Sequence, residues 1–262
     1  MSIASFPMRP PVSGITGIWK FVKKKNTHSR TYSTPGHLLH LVLAGSYTLK
    51  TNGREYSIKP GDVIYYHECE EVETYGNPSD VIFYSVGFSS DILEPLSMEN
   101  RVFRASAPIK KAFEKLYTTF LDGNGTDFAI YARLMDIISN IKEFHLRRSS
   151  GGEEELLWWK IENHIRRKRL FTISIKEISE SFKKSRATIV RACRNATGSR
   201  PLLRIREIRM AEANALLVYS TLNVSQTAAS LGYRRMHEFS REFSKYFGFS
   251  PQAIIEKRKS GA

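Results

Sequence analysis

The stretch Leu231-Gly232-Tyr233-Arg234-Arg235-Met236-His237-Glu238-Phe239-Ser240-Arg241-Glu242-Phe243, closed by Gly248-Phe249-Ser250-Pro251, decides how this chain is read. The same chemistry is written once before it. Gly198 and Pro201 precede Gly248 and Pro251 by 50 residues, and the same step separates Arg191 from Arg241, Ile189 from Phe239 and Cys193 from Phe243. A helical unit that recurs once at such a period is either a short repeat array or a tandem of two small helical readers. The second alternative organises the rest of the chain.

Local signals place both copies on helices. Ser174-Ile175-Lys176-Glu177 is a capping box, so a helix is expected over 175–182, ending before Lys183-Lys184. A second helix is expected from Ser185 to about Ala196. In the later copy Asn223 can cap a helix from Val224 to Leu231, Gly232 makes the turn, and a further helix runs from Met236 to about Tyr246. Short helix, tight turn, second helix is the helix-turn-helix pattern. Between the copies, Leu202 to Tyr219 is rich in Ala and Leu; a helix of 18 residues there is about 27 Å long. That length suits a spacer holding two recognition helices near the roughly 34 Å between successive major grooves on one face of B-DNA, although a core helix has the same signature.

Charge supports the first use. From Leu156 to Ala262 there are 22 Lys/Arg against 8 Asp/Glu, whereas Met1 to Glu155 carries 18 of each, so the whole net charge of +14 lies in the C-terminal part. A positive field confined to one domain is the footprint of polyanion binding; a solvated basic face kept for solubility is its alternative. At 262 residues, 41% hydrophobic and 25% charged, the chain is of ordinary globular composition and long enough for two cores. No apolar run nears the roughly 18 residues of a membrane span and Met1 to Pro11 lacks a secretory pattern, so no membrane partner and a cytoplasmic home are expected. Cys69 and Cys193 fall in different halves, which leaves no disulfide framework.

The N-terminal half reads as strands. Leu38 to Leu43, Tyr47 to Lys50 and Tyr56 to Ile58 are short apolar runs, with Asn52-Gly53 as a hairpin turn between the last two. Pro60-Gly61-Asp62 turns into Val63 to Tyr66, and Val81 to Val86 follows an acidic segment, Glu68 to Pro78, that reads as a loop. Many short strands with turn residues between them predict an antiparallel barrel or jelly roll. Helical spacing returns at 110–121 and 127–146, where Leu134, Ile137, Ile138, Ile141 and Phe144 form one stripe, a packing face with enough apolar surface to supply a dimer interface as well. The expected organisation is therefore α+β: an arm (1–17), an antiparallel β-barrel or jelly-roll domain with flanking helices (18–146), a polar linker (147–155) and an all-α domain with two helix-turn-helix units (156–262).

The C-terminal part resembles the DNA-binding domain of the AraC/XylS family of bacterial transcription regulators. Ile175-x-x-Ile178, Val224-x-x-x-Ala228, Arg209-Met210-x-x-Ala213 and the opening stretch through Pro251 carry the likeness, over about residues 158–258. In the first copy the usual aromatic before the turn is absent and Cys193 stands where Phe is common. Helical geometry turns Ile189 and Phe239 inward, which nominates Arg186, Ala187, Val190 and Arg191 in one recognition helix and Met236, His237, Ser240 and Arg241 in the other as groove-facing. Arg can hold guanine bidentately and Met or Val can touch a thymine methyl; phosphate contact or a salt bridge is the alternative for each Arg. Lys183, Lys184, Arg234 and Arg235 are nominated for phosphate.

The N-terminal half resembles the cupin-like ligand domain of sugar-responsive members of that family, through Arg30, Gly36-His37-x-Leu39-x-Leu41, Gly45, Gly53-Arg54-Glu55-Tyr56 and Pro60-Gly61-Asp62. The resemblance implies ligand contacts from Arg30 and Tyr75, with His40, and from Phe83 and Ser85 on the last barrel strand, where the aromatic or His of the arabinose-responsive pattern is replaced. It also implies an operator on double-stranded DNA, a small effector such as a sugar, RNA polymerase and a second copy of the chain as partners. His28, His37 and His40 lack the His-x-His of metal cupins, so no metal and no cofactor are expected. A barrel enzyme fused to a DNA-binding tail and a nonspecific basic nucleic-acid binder are the competing readings; no His cluster, carboxylate pair or nucleophile–base set supports the enzyme.

Overall fold

The computed structural model describes residues 10–51, 54–68, 70–90, 92–96, 98–121, 126–146 and 153–259. Among the described residues nine strands come first: β1 (Gly14–Lys23), β2 (Ser29–Tyr32), β3 (His37–Ala44), β4 (Tyr47–Thr51), β5 (Arg54–Ile58), β6 (Asp62–His67), β7 (Glu71–Tyr75), β8 (Val81–Ser89) and β9 (Val102–Arg104). Among the described residues nine α-helices follow: α1 (Ala107–Leu121), α2 (Asp127–Leu146), α3 (Glu153–Lys168), α4 (Ile175–Phe182), α5 (Arg186–Thr197), α6 (Pro201–Tyr219), α7 (Val224–Ser230), α8 (Met236–Phe247) and α9 (Pro251–Lys259).

The strands form two antiparallel sheets, ordered β1-β8-β3-β6-β9 and β2-β7-β4-β5. This is a two-sheet jelly roll and not a closed barrel: among the described residues no ladder joins one sheet to the other. Alternation along each strand divides the apolar residues between two cores. Leu38 and Val42 of β3, Ile64 and Tyr66 of β6, and Tyr47 and Leu49 of β4 fill the space between the sheets. Leu39 and Leu41 of β3, with Val63 and Val86, turn to the opposite face, where α1 and α2 cover them.

Several expectations change here. The arm is shorter than 1–17, because Gly14 already pairs with Ser89 and a register shift between Ile15 and Gly17 bends β1. Gly17, inside the segment read as an arm, is a strand residue whose missing side chain leaves room for the Trp19 ring. The supposed loop from Glu68 to Pro78 contains β7. Its alternation of inward Val72 and Thr74 with outward Glu71, Glu73 and Tyr75 was hidden by its acidity. β2 and β9 were also unread. The Asn52-Gly53 turn lies outside the described residues, yet Thr51 faces Arg54 as a two-residue hairpin requires. In α2, Leu134, Ile137, Ile138 and Ile141 are all buried, and Phe144 packs on the same core, so the stripe is consumed within the chain.

The C-terminal helices share one core, built from Trp158, Ile161 and Ile165 of α3, Ile189 and Cys193 of α5, Ile205 and Ile208 of α6, and Phe239 and Phe243 of α8. Its first helix begins at Glu153, inside the segment read as linker; residues 147–152 lie outside the described ones.

Candidate nucleic-acid interface and aromatic cluster

Each copy starts on a reciprocal cap. The Ser174 hydroxyl accepts from Glu177 N while the Glu177 carboxylate accepts from Ser174 N (2.8 Å); Asn223 and Gln226 repeat the arrangement in the second copy at 2.8 and 2.9 Å. Lys183, at φ 50°, ends α4 in the left-handed region, and Ser185 caps α5 through Thr188 N at 3.1 Å. The recognition helices α5 and α8 have 12 residues each, and both end on a left-handed glycine, Gly198 and Gly248. Between residues 185–191 and 235–241 exposure follows the step of 50 residue by residue. Ile189 and Phe239, like Cys193 and Phe243, are wholly buried, while Arg186 and Met236, Ala187 and His237, and Arg191 and Arg241 are exposed and Val190 and Ser240 half so.

Two surface grooves follow from that pattern. One is lined by Arg186, Ala187, Val190 and Arg191, which the structure brings together with Arg194 and Asn195. The other gathers Arg241, Arg234 and Lys245 beside α6 residues Arg206 and Arg209. Arg194, Asn195 and Lys245 were missed by sequence reasoning. They lie one turn beyond the nominated positions, and helical spacing alone could have found them. Lys183, Lys184, Arg234 and Arg235 are all exposed at the two turns.

The second turn is fixed by a clamp. Tyr233 OH donates to Glu242 (2.8 Å), Arg206 Nε to the same carboxylate (2.7 Å) and Arg209 Nε to Leu231 O (3.0 Å), with the Arg209 guanidinium 3.4 Å from the Tyr233 ring centre. Burial pushes the Glu242 carboxyl up, but the hydrogen bonds from Tyr233 and Arg206 outweigh it and hold the group below the usual carboxylate range. Beneath the first copy lies a different device. Glu162 accepts from Trp158 Nε1 (3.1 Å), Arg166 Nη2 (2.8 Å) and Arg204 Nη2 (2.9 Å). Burial would raise its pKa; the two guanidiniums override that and hold it down at about 2.

Between the sheets a run of rings crosses the face of β1, β8 and β3. Trp19 meets Phe21 (6.1 Å between ring centres), Phe21 meets Phe83 (5.4 Å), His40 stacks on Phe83 (4.7 Å) and stands edge-on to Tyr66 (5.1 Å). Ser85, directly opposite both Trp19 and His40 in register, has a buried hydroxyl with no hydrogen-bond partner among the described residues. Burial holds His40 neutral, with its pKa lowered to about 3. At one end Lys23 reaches the Ser29 and Thr74 hydroxyls, 5.8 Å from the centre of the Tyr47 ring.

Three of the nominated ligand residues, His40, Phe83 and Ser85, therefore meet, and Trp19 and Phe21 join them. Arg30 and Tyr75 do not. They share the outward face of the smaller sheet, Arg30 paired with Glu71 and Tyr75 OH donating to Glu55 at 2.7 Å. The histidines also separate: His28 pairs with Glu73 on that outer face, His37 accompanies Tyr65 on the far side of the larger sheet, and His40 faces inward.

A helix-turn-helix domain family matches residues 178–257, and the AraC-like ligand binding domain family matches residues 23–138. The chain belongs to the AraC family of DNA-binding transcription regulators. Among its relatives are the lactose operon transcription activator of Staphylococcus xylosus, 24% identical over 81% of each chain, and the Msm operon regulatory protein of Streptococcus mutans, 22% identical over 82% of each. Its fold is similar along nearly its whole length to unsaturated-fatty-acid-bound ToxT of Vibrio cholerae, with a TM-score of 0.61 at 11% identity, covering 95% of this chain and 97% of that one. As an AraC family regulator it combines a basic pair of helix-turn-helix units with a ligand-binding domain, and His40, Tyr66, Phe83 and Ser85 of the ring cluster between the sheets lie inside the matched ligand-binding region, with Trp19 and Phe21 just before it.

Proposed function

We propose that the chain is a sugar-responsive operon regulator, working in the cytoplasm as a homodimer on double-stranded DNA. The observation that carries the DNA half of this reading is the repeat of exposure at a step of 50 on α5 and α8, in the part of the chain that holds all the net positive charge. Arg186, Ala187, Val190 and Arg191 read one major-groove segment, Met236, His237, Ser240 and Arg241 the next, and Lys183, Lys184, Arg234 and Arg235 hold phosphates. The organisation is an arm before β1, a ligand domain through α2 and a DNA-binding domain from α3. Mapping bound sites across the genome with and without candidate sugars tests it. Operators beside a sugar operon support the reading, whereas affinity independent of sequence and governed by salt supports the nonspecific binder.

For the effector, an aromatic platform with the Ser85 hydroxyl and the neutral His40 ring suits a molecule with one apolar ring face and several hydroxyls, which is sugar chemistry. Relatives named for lactose and Msm operons support the same class; neither supports a barrel enzyme. A second reading is favoured by a crevice of about 670 Å³ between Thr34-Pro35 and the α6 and α9 residues Val218 and Ile254. Titration calorimetry with the same sugar on His40→Ala and Val218→Trp separates the two sites. Exposed Phe120, Leu121, Phe128 and Tyr131 at one end of the α1–α2 hairpin supply a surface for the second subunit, and RNA polymerase is the partner of an activator bound this way.

A further inference from the structure

The ligand-binding and DNA-binding halves meet along a seam of buried charge. On the side of the sheets, Glu70 pairs with Arg101 at 3.0 Å, both side chains 2% exposed. The Arg101 guanidinium lies 5.6 Å from the ring centre of Tyr65 and 5.9 Å from that of Trp159 on α3. Glu68, in the turn that follows β6, crosses to the other half, its carboxylate 3.4 Å from Arg166 Nη1 of α3. That contact is an ion pair without the alignment of a hydrogen bond. Arg166 shares Glu162 with Arg204 of α6, and Arg204 continues to Glu207 at 3.4 Å. From Glu68 to α6 the charges alternate negative, positive, negative, positive, negative, and α6 is the helix that joins the two readers.

A second observation concerns the backbone. Glu68 sits at φ 55°, in the left-handed region where glycine is the low-cost residue, and its N–H donates to Gly36 O at 2.7 Å. A turn needing only that conformation would be better served by glycine. The side chain at this position is held against a backbone penalty, and its charged partner lies in the other half of the chain. Tyr66, two residues earlier near the end of β6, belongs to the ring cluster between the sheets.

We propose that Glu68 is a positioning residue that holds the DNA-binding half in one orientation on the ligand-binding half, acting through Arg166, Glu162 and Arg204. The seam transmits the position of the β6–β7 turn to α6, and so to the spacing of both readers. The proposal does not depend on the identity of the effector.

The test is hydrogen exchange on the full-length protein without ligand or DNA, following peptides from residues 62–75 and 153–168, with the thermal midpoint measured alongside. Glu68→Gly removes the carboxylate and relieves the backbone together. The expected result is exchange in the 153–168 peptides faster by roughly threefold or more, with the midpoint unchanged or raised. Glu68→Gln, which keeps the side chain and the strain but not the charge, is expected to speed exchange in both regions. Unchanged 153–168 exchange in a folded Glu68→Gly variant overturns the proposal and leaves Glu68 as an ordinary turn residue. Faster exchange in that variant spread evenly over the whole chain, with a fallen midpoint, overturns it equally.

Discussion

The two helix-turn-helix units present the same exposure pattern and are held in place by opposite means. The second is fixed at its turn, where Tyr233, Glu242, Arg206 and Arg209 tie the turn and the middle of α8 to α6. The first has no such clamp among the described residues: the aromatic before its turn is Phe182, which stands edge-on to His164 of α3 at 5.5 Å between ring centres. It rests on the buried Glu162–Arg204 pair and turns on a left-handed Lys183. Beneath the recognition helices the same division holds, with Phe243 packed between Phe239 and Phe247 in one unit, and Cys193 backed by Thr197, whose hydroxyl bonds Cys193 O at 2.8 Å, in the other. An outward face suited to a groove thus places few demands on how the inward face is secured. The units can therefore diverge inside while staying equivalent outside.

The largest way to break this comparison is at Glu162. Replacing it with Gln leaves two buried guanidiniums without their carboxylate and is expected to cost about 3–5 kcal/mol in urea melts. The same group fixes a pH dependence. With its folded pKa held at about 2, below the ordinary 4.5, its contribution is complete above pH 4.5 and is lost as pH falls toward 2. In an acid titration followed by fluorescence, Glu162→Gln should flatten that limb. Next, Cys193→Phe asks whether the first core accepts the residue of the second. The site is wholly buried, so overpacking should cost about 1–3 kcal/mol by thermal melt. Tyr233→Phe removes a hydrogen bond to a charged acceptor; a loss of about 1–2 kcal/mol is expected, with faster hydrogen exchange at the second turn and none at the first. Smallest is Lys183→Gly, which relieves the left-handed backbone and should raise stability by up to about 1 kcal/mol while weakening DNA binding at low salt.

Much of this was legible in the sequence because local chemistry and tertiary role agreed. The capping box at Ser174 and Glu177, the glycines ending α5 and α8 and the stripe on α2 each appear where spacing placed them. β7 was not legible, since its inward residues are only Val72 and Thr74 among carboxylates, and burial of the strand depends on β2 and β4 lying on either side. The ring cluster between the sheets was half legible. His40, Phe83 and Ser85 lie on strands whose period could be read, but Trp19 and Phe21 join them through the β1–β8 register, which no local pattern encodes. Arg30 and Tyr75 came by resemblance, and strand alternation turns both outward. The Glu68–Arg166 contact spans 98 positions and had no signal in the sequence.

The central claim is that both units read DNA, each through its own recognition helix. Binding selections from random DNA with the wild type, Arg191→Ala and Arg241→Ala test it directly. Each substitution should relax preference at one or two base pairs by about 1–3 kcal/mol, at two places separated by roughly 10 base pairs. Relaxation at the same base pairs in both variants, or an equal loss on every sequence, would contradict it.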